Sequence, residues 1–185
     1  VFTFKIKRYA DLLMDCYLSV ALPHIWSPIM PPQPDNSEKW APYEFKWIEN
    51  LGAKMISKIS ITCGNYTLQE YSGDYLLASV QRDYNAIKRE LFNEMTGNIP
   101  ELNDPANANS RVNSYPNAYY IDDMNRPEPS IRGQILYIPL NNWFGLKSQM
   151  AFPLVSLQYN ELHINITFRP LNQLFVIRDV MDSVN

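Results

Sequence analysis

From residue 12 to residue 22 every even position is apolar: Leu12, Met14, Cys16, Leu18, Val20 and Leu22. Successive side chains of an extended chain point to opposite faces, so this run predicts a strand with one buried face. The same period recurs. Phe2, Phe4 and Ile6 alternate with Thr3 and Lys5. Met55, Ile59, Ile61 and Cys63 share a face in 53–63, against Lys54, Lys58 and Thr62. Leu162, Ile164, Ile166 and Phe168 alternate with Glu161, His163, Asn165 and Thr167. Residues 131–138 and 152–159 are less regular strand candidates, and 174–177 is an apolar run short enough to be buried on both faces. Many strands with one wet face predict an all-β, antiparallel sandwich or barrel, not a parallel βαβ sheet. The even positions of 12–22 and 162–168 are the predicted core.

One segment breaks the period. Leu77, Val80, Tyr84, Ile87, Leu91 and Met95 fall three and four apart, which predicts one inserted amphipathic helix over 74–95. Asp74 or Ser72 can cap its start and Gly97 can close its end. Two stretches read as long loops: 23–43, with six prolines, and 97–130, with seven asparagines and five prolines. They carry Trp26, Trp40, Tyr115, Tyr119 and Tyr120, aromatics of the kind enriched where subunits meet.

The chain has 185 residues, 46% of them hydrophobic, enough for one domain that buries roughly 70% of its unfolded surface. Charged residues are only 19% and net charge is −3, so neither disorder nor phosphate binding by bulk charge fits. No apolar run approaches the length of a membrane-spanning helix. The chain opens at Val1, already strand-like, and is expected to be a piece of a longer polypeptide.

Catalytic chemistry finds few residues. Cys16 and Cys63 sit inside strand-like runs and read as free thiols, not as a disulfide or zinc site. His163 beside Glu161 is the best metal pair, but the only other histidine, His24, lies in a proline-rich turn. Asp122 and Asp123 could serve as paired acids, but their turn-rich setting favours a solvated loop. Asn65-Tyr66-Thr67 and Asn165-Ile166-Thr167 match the glycosylation pattern, about as often as chance supplies it. Trp26, Trp40, Trp47 and Trp143 could line a sugar groove, pack a core or form an interface. The residues themselves point to a binding or assembly module.

Four blocks, in order, resemble one family. Phe4 to Leu13, running on to Pro23, resembles an R-x-x-D-L block followed by an alternating strand ending in L-P. Trp47 to Gly52, continuing through Gly64, resembles a W-x-N-x-L-G block and its strand. Met95-Thr96-Gly97 falls where that family carries a helix and M-x-G turn. Tyr137-Ile138-Pro139-Leu140-Asn141-Asn142-Trp143-Phe144 and Phe152 to Leu162 resemble its most specific signature, which contains W-F and L-Q-Y. The family is the major capsid proteins of nucleocytoplasmic large DNA viruses.

The resemblance implies an eight-stranded-type jelly-roll sandwich, the first of two in tandem, with residues 1–185 as a single jelly-roll domain. Asp11, Trp47, Trp143, Phe144, Gln158 and Tyr159 are the candidate motif core. It implies a structural role: homotrimeric, pseudo-hexagonal capsomers of an icosahedral shell in the virion, assembled in the host cytoplasm. Partners would be the chain itself, neighbouring capsomers and minor capsid proteins, near an internal viral membrane and without direct nucleic-acid contact. No enzyme activity, cofactor or metal is implied. The alternative is a carbohydrate-binding β-sandwich, marked by an exposed aromatic platform beside Asn or Asp.

Overall fold

The computed structural model describes residues 1–27, 29–30, 41–118, 127–157 and 159–178. Twelve strands occur among them: β1 (Phe2–Ile6), β2 (Leu12–Leu13), β3 (Tyr17–Ala21), β4 (Ile29–Met30), β5 (Ala41–Pro42), β6 (Glu44–Trp47), β7 (Ile56–Cys63), β8 (Tyr66–Tyr71), β9 (Ile135–Pro139), β10 (Phe152–Pro153), β11 (Leu162–Phe168) and β12 (Phe175–Arg178). Four helices intervene: α1 (Leu51–Lys54), α2 (Gly73–Asp83), α3 (Ala86–Thr96) and α4 (Pro100–Asn103).

The main sheet runs β1-β11-β7-β8, antiparallel throughout. Its register matches like with like. Ile164 lies between Phe4 and Ile61, and Ile166 between Phe2 and Ile59. Leu162, Ile164, Ile166, Ile59 and Ile61 are all at most 4% exposed, while His163 and Asn165 lie on the other face. The core residues of β11 are those that alternation predicts. Two-stranded ribbons β3-β9, β6-β12 and β2-β10 complete the β structure around this core, with β4-β5 beside them. Leu18, Leu136 and Ile138 from β3-β9, and Trp47 from β6, join the sheet's isoleucines in one hydrophobic cluster.

Elsewhere the structure departs from the periodic reading. Residues 12–22 form two strands, because the chain passes from a ribbon with β10 to a ribbon with β9. The inward phase changes on the way: Leu13 packs on the core while Leu12 is 57% and Met14 37% exposed, and burial returns to even positions from Cys16 to Leu18. The strand expected over 53–63 begins at Ile56, since Leu51–Lys54 is a helical turn. Residues 131–138 yield β9, preceded by a single bridge from Ile131 to Ile25. Residues 152–159 yield only β10 and a 3₁₀ turn. The run 174–177 is not buried on both faces: Leu174 is buried, but Val176 and Ile177 are about half exposed.

The single helix over 74–95 is two. Ser72 caps α2 by accepting from the Tyr75 N–H. Tyr84 then turns extended, and the Asn85 side chain accepts the Lys88 N–H at 2.9 Å, starting α3 afresh. Asparagine competes with helical backbone for its own donors, which is the physical reason for the break. The apolar face shifts accordingly: Leu76, Val80 and Phe92 are buried, while Ile87 is 70% and Leu91 52% exposed. Gly97 closes α3 in the left-handed conformation, φ 75°.

Helix α2 meets the sheet at Gly73, where an added Cβ would lie 1.9 Å from the Ala53 carbonyl oxygen. Gly73→Ala is therefore expected to destabilise the domain by forcing α1 and α2 apart. Ile164→Ala should cost about 2–5 kcal/mol by opening a cavity in the sheet's core face, and His163→Ala less than about 0.5 kcal/mol. Urea unfolding of the three variants checks this; equal midpoints for the Ile164 and His163 variants would refute the register.

Candidate assembly surface

The central strands are well covered, and β1 is not. Phe2 and Phe4 stand opposite Ile166 and Ile164 and so share the core face of the sheet. Yet Phe2 is 58% and Phe4 44% exposed, against 1% and 4% for their partners. Phe2 has one aromatic neighbour, Phe168, edge-on at 5.4 Å. Among the described residues β1 pairs on one side only. An edge strand with an apolar, half-exposed face is a template for further association.

A second uncharged surface lies on the β3-β9 ribbon. Leu18, Leu136 and Ile138 face inward, so Tyr17, Ser19, Ala21, Ile135, Tyr137 and Pro139 face out. Tyr17, Ile135 and Tyr137 are each about half exposed.

The residues singled out from sequence divide sharply. Trp26 is 38% exposed. Tyr115 is half-buried, with its hydroxyl 3.1 Å from the Ser27 Oγ, and burial pushes its pKa up. Tyr115 also lines a groove of about 970 Å³ with Ser130 and Gln134. Trp40, Tyr119, Tyr120 and Gln158 lie outside the described residues, as do Asp122 and Asp123. Of the motif residues, Trp47 (5% exposed) and Phe144 (0%) are in the core. Trp143 is half-buried, edge-on to Phe144 and Phe152. Asp11 and Tyr159 are not core residues: Tyr159 is 95% exposed, and Asp11, also exposed, anchors β10 through its carbonyl, which accepts the Leu154 N–H at 2.8 Å.

The histidines and cysteines have structural settings. His24 Nδ1 accepts the Gly133 N–H at 2.9 Å. His163 Nε2 lies 3.6 Å from Glu161. Among the described residues no three His, Cys, Asp or Glu side chains gather where they could hold a metal. Both cysteines are free and half-buried. Burial pushes the Cys16 thiol up, although the Asn142 amide against it acts the other way. The two glycosylation triplets also differ. Asn65 is exposed at the β7–β8 turn, whereas the Asn165 amide accepts from Thr3 at 2.8 Å and donates to Thr62 at 3.3 Å.

One polar cluster was not foreseen from sequence. Tyr71, on β8, reaches the Leu140 carbonyl and the Asn142 Oδ1, the latter at 2.7 Å, and its single hydroxyl proton serves both. Burial, then the nearby Cys16, raises its pKa and keeps it a neutral donor. Asn141 beside it is left-handed, φ 47°, with its Oδ1 accepting from the Tyr84 hydroxyl at 3.1 Å. The Asn-Asn pair was the only available signal, and it reads equally well as an ordinary turn.

These features define a mostly antiparallel β module with a packed sheet, apolar edges and, among the described residues, no metal-holding cluster. The chain matches the family model described as "Major capsid protein N-terminus" over residues 2–185, and it belongs to that family. It is 24% identical over 181 residues to capsid protein 1 of Acanthamoeba polyphaga mimivirus, covering 97% of this chain and 27% of that protein. It is 26% identical over 190 residues to the major capsid protein of Chrysochromulina ericina virus, covering 92% and 32%. Its fold resembles the Faustovirus major capsid protein, with a TM-score of 0.63 at 14% identity over 95% of this chain and 40% of that one. It also resembles the PBCV-1 virus capsid, with a TM-score of 0.57 at 16% identity over 90% and 30%. The chain thus spans about a third of the length of the curated relatives it matches.

Tyr71→Phe should cost about 1–3 kcal/mol by leaving buried acceptors without their donor, measured by thermal or urea unfolding; an unchanged midpoint would show that the hydroxyl is not needed. Lys5 donates to Glu161 and holds its carboxyl below the usual glutamate range. A depressed folded-state pKa adds stability above the unfolded-state value, lost as pH falls through the folded one. Glu161 should therefore titrate low by NMR and return to the ordinary value in Lys5→Met.

Proposed function

We propose that this chain is the first jelly roll of a major capsid protein that trimerises into pseudo-hexagonal capsomers of a large DNA virus shell. The observation that carries the reading is the apolar edge at β1. Phe2 and Phe4 continue the core face of the sheet yet remain half exposed. Burying apolar area is the main favourable term in association, at about 25 cal/mol per Å² before the costs of docking. A face left open in one module is completed by a neighbouring one. The neighbours in this reading are a tandem jelly roll and then other copies of the chain, in keeping with a family described as "Major capsid protein N-terminus". Aromatics such as Trp26, Tyr17 and Tyr137 supply large contact area at low entropic cost.

The role is structural, not catalytic. Location in the virion shell follows from the same reading, with assembly in the host cytoplasm and minor capsid proteins as further partners. The near-neutral charge, −3, suits a shell that packs against protein and not against the genome.

The full-length polypeptide is expected to sediment as a trimer at micromolar concentration. Phe4→Lys in it should lower the trimer fraction or the yield of folded protein. A full-length protein that stays monomeric at high concentration would refute the proposal.

A further inference from the structure

A cavity of about 320 Å³ opens where the start of β3, the end of β8, the α2–α3 break and the turn after β9 meet. That volume is within the range of small-ligand sites, about 300–1,000 Å³. Its walls combine two kinds of group that the chain brings from far apart. Tyr75, Tyr84 and Trp143 supply aromatic rings, and Gln69, Asn141 and Asn142 supply amides. Asn142 is only 2% exposed, and its Nδ2 has no hydrogen-bond partner. The Cys16 sulfur against it is a weak acceptor, so the amide is left under-satisfied. Asn141 is held in the left-handed region, a conformation that non-glycine residues adopt at a cost and that clusters at binding sites.

Charge narrows the ligand. Asp15 and Asp83 cancel Arg82 and Lys88, and Arg82 is already bound through two nitrogens to Asp83, at 2.7 and 2.8 Å. No surplus of cations remains for a phosphate or a nucleotide. The amide wall disfavours an acyl chain, whose burial would leave polar groups unpaired. A neutral pyranose is the ligand class this lining suits: its C–H face would meet Tyr75 and Trp143, and its hydroxyls the Gln69 and Asn141 amides.

We propose that this cavity binds a neutral sugar. The cavity shares Tyr17 and Pro139 with the outward face of β3-β9, but sugar binding and trimerisation are read by different experiments, so each stands or falls separately. The sugar could belong to a cell-surface glycan or to a glycan carried by the protein itself.

The test is saturation-transfer NMR on the full-length protein with a panel of neutral hexoses, followed by Trp fluorescence titration. Dissociation constants on the order of 1 mM are expected for one ring. Tyr75→Ala should weaken binding at least about tenfold, a difference of about 1.4 kcal/mol. Asn141→Gly should do the same while keeping the left-handed backbone that glycine tolerates; it removes the amide together with its contact to the Tyr84 hydroxyl. Tyr66→Ala, at an exposed tyrosine on β8 outside the cavity, should leave binding unchanged. A glycan array would identify a cell-surface source. Binding that appears only after chemical deglycosylation of the protein would identify its own glycan as the occupant. No transfer from any neutral hexose before or after deglycosylation would overturn the proposal, as would binding indifferent to both cavity variants, or inorganic phosphate displacing the sugar.

Discussion

The pairing of β7 with β11 at the centre of the main sheet carries the rest of the structure. Both strands are paired on two sides, and their isoleucines meet in register on one face. A slip of one residue would send Ile164 and Ile166 to the wet face and bring His163 and Asn165 into the core. The wet face reinforces the same register, because Asn165 bridges Thr3 on β1 and Thr62 on β7. Hydrophobic burial thus sets the alignment, and a polar bridge across three strands is compatible with that alignment only.

Two contacts tie the other elements to this sheet. Gly73 lets the start of α2 press against α1 at a separation no side chain would permit. Tyr71 extends from β8 to the turn after β9 and binds both the Leu140 carbonyl and Asn142. Phe144 follows at once and is fully buried, so the turn is held by one polar and one apolar anchor. Those two anchors hold the turn that forms one side of the cavity. Asn142 belongs to both, accepting from Tyr71 and lining the cavity.

The open features lie at the periphery. Phe2 and Phe4 on β1, and Tyr17, Ile135 and Tyr137 on β3-β9, are apolar without being buried. Exposed apolar faces of this kind mark sites of interaction. Surface ion pairs, such as Lys58 with Glu70, are half exposed and contribute little to holding the fold. Apolar burial is complete inside the module and incomplete at its edges.

The sequence by itself determined the β-class, the inward face of β11 and β7, the closing cap at Gly97, an opening cap at Ser72 or Asp74, and the family through its ordered blocks. Each of these is local: a two-residue period, a side chain reaching its own backbone, or a motif read in order. Only the tertiary structure decided the rest. Alternation in 12–22 could not show that the chain changes ribbons after Leu13, because that depends on pairing with β9 and β10, whose residues lie far along the chain. Helical spacing over 74–95 hid the break at Tyr84, since Asn85 acts as a cap only where the chain can turn. Asp11 and Tyr159 stand in family-like blocks yet are exposed, and Phe2 and Phe4 alternate correctly yet remain uncovered. A side chain's direction follows from its own strand, whereas its burial depends on whether another element lies above it, and that is fixed by contacts distant in sequence.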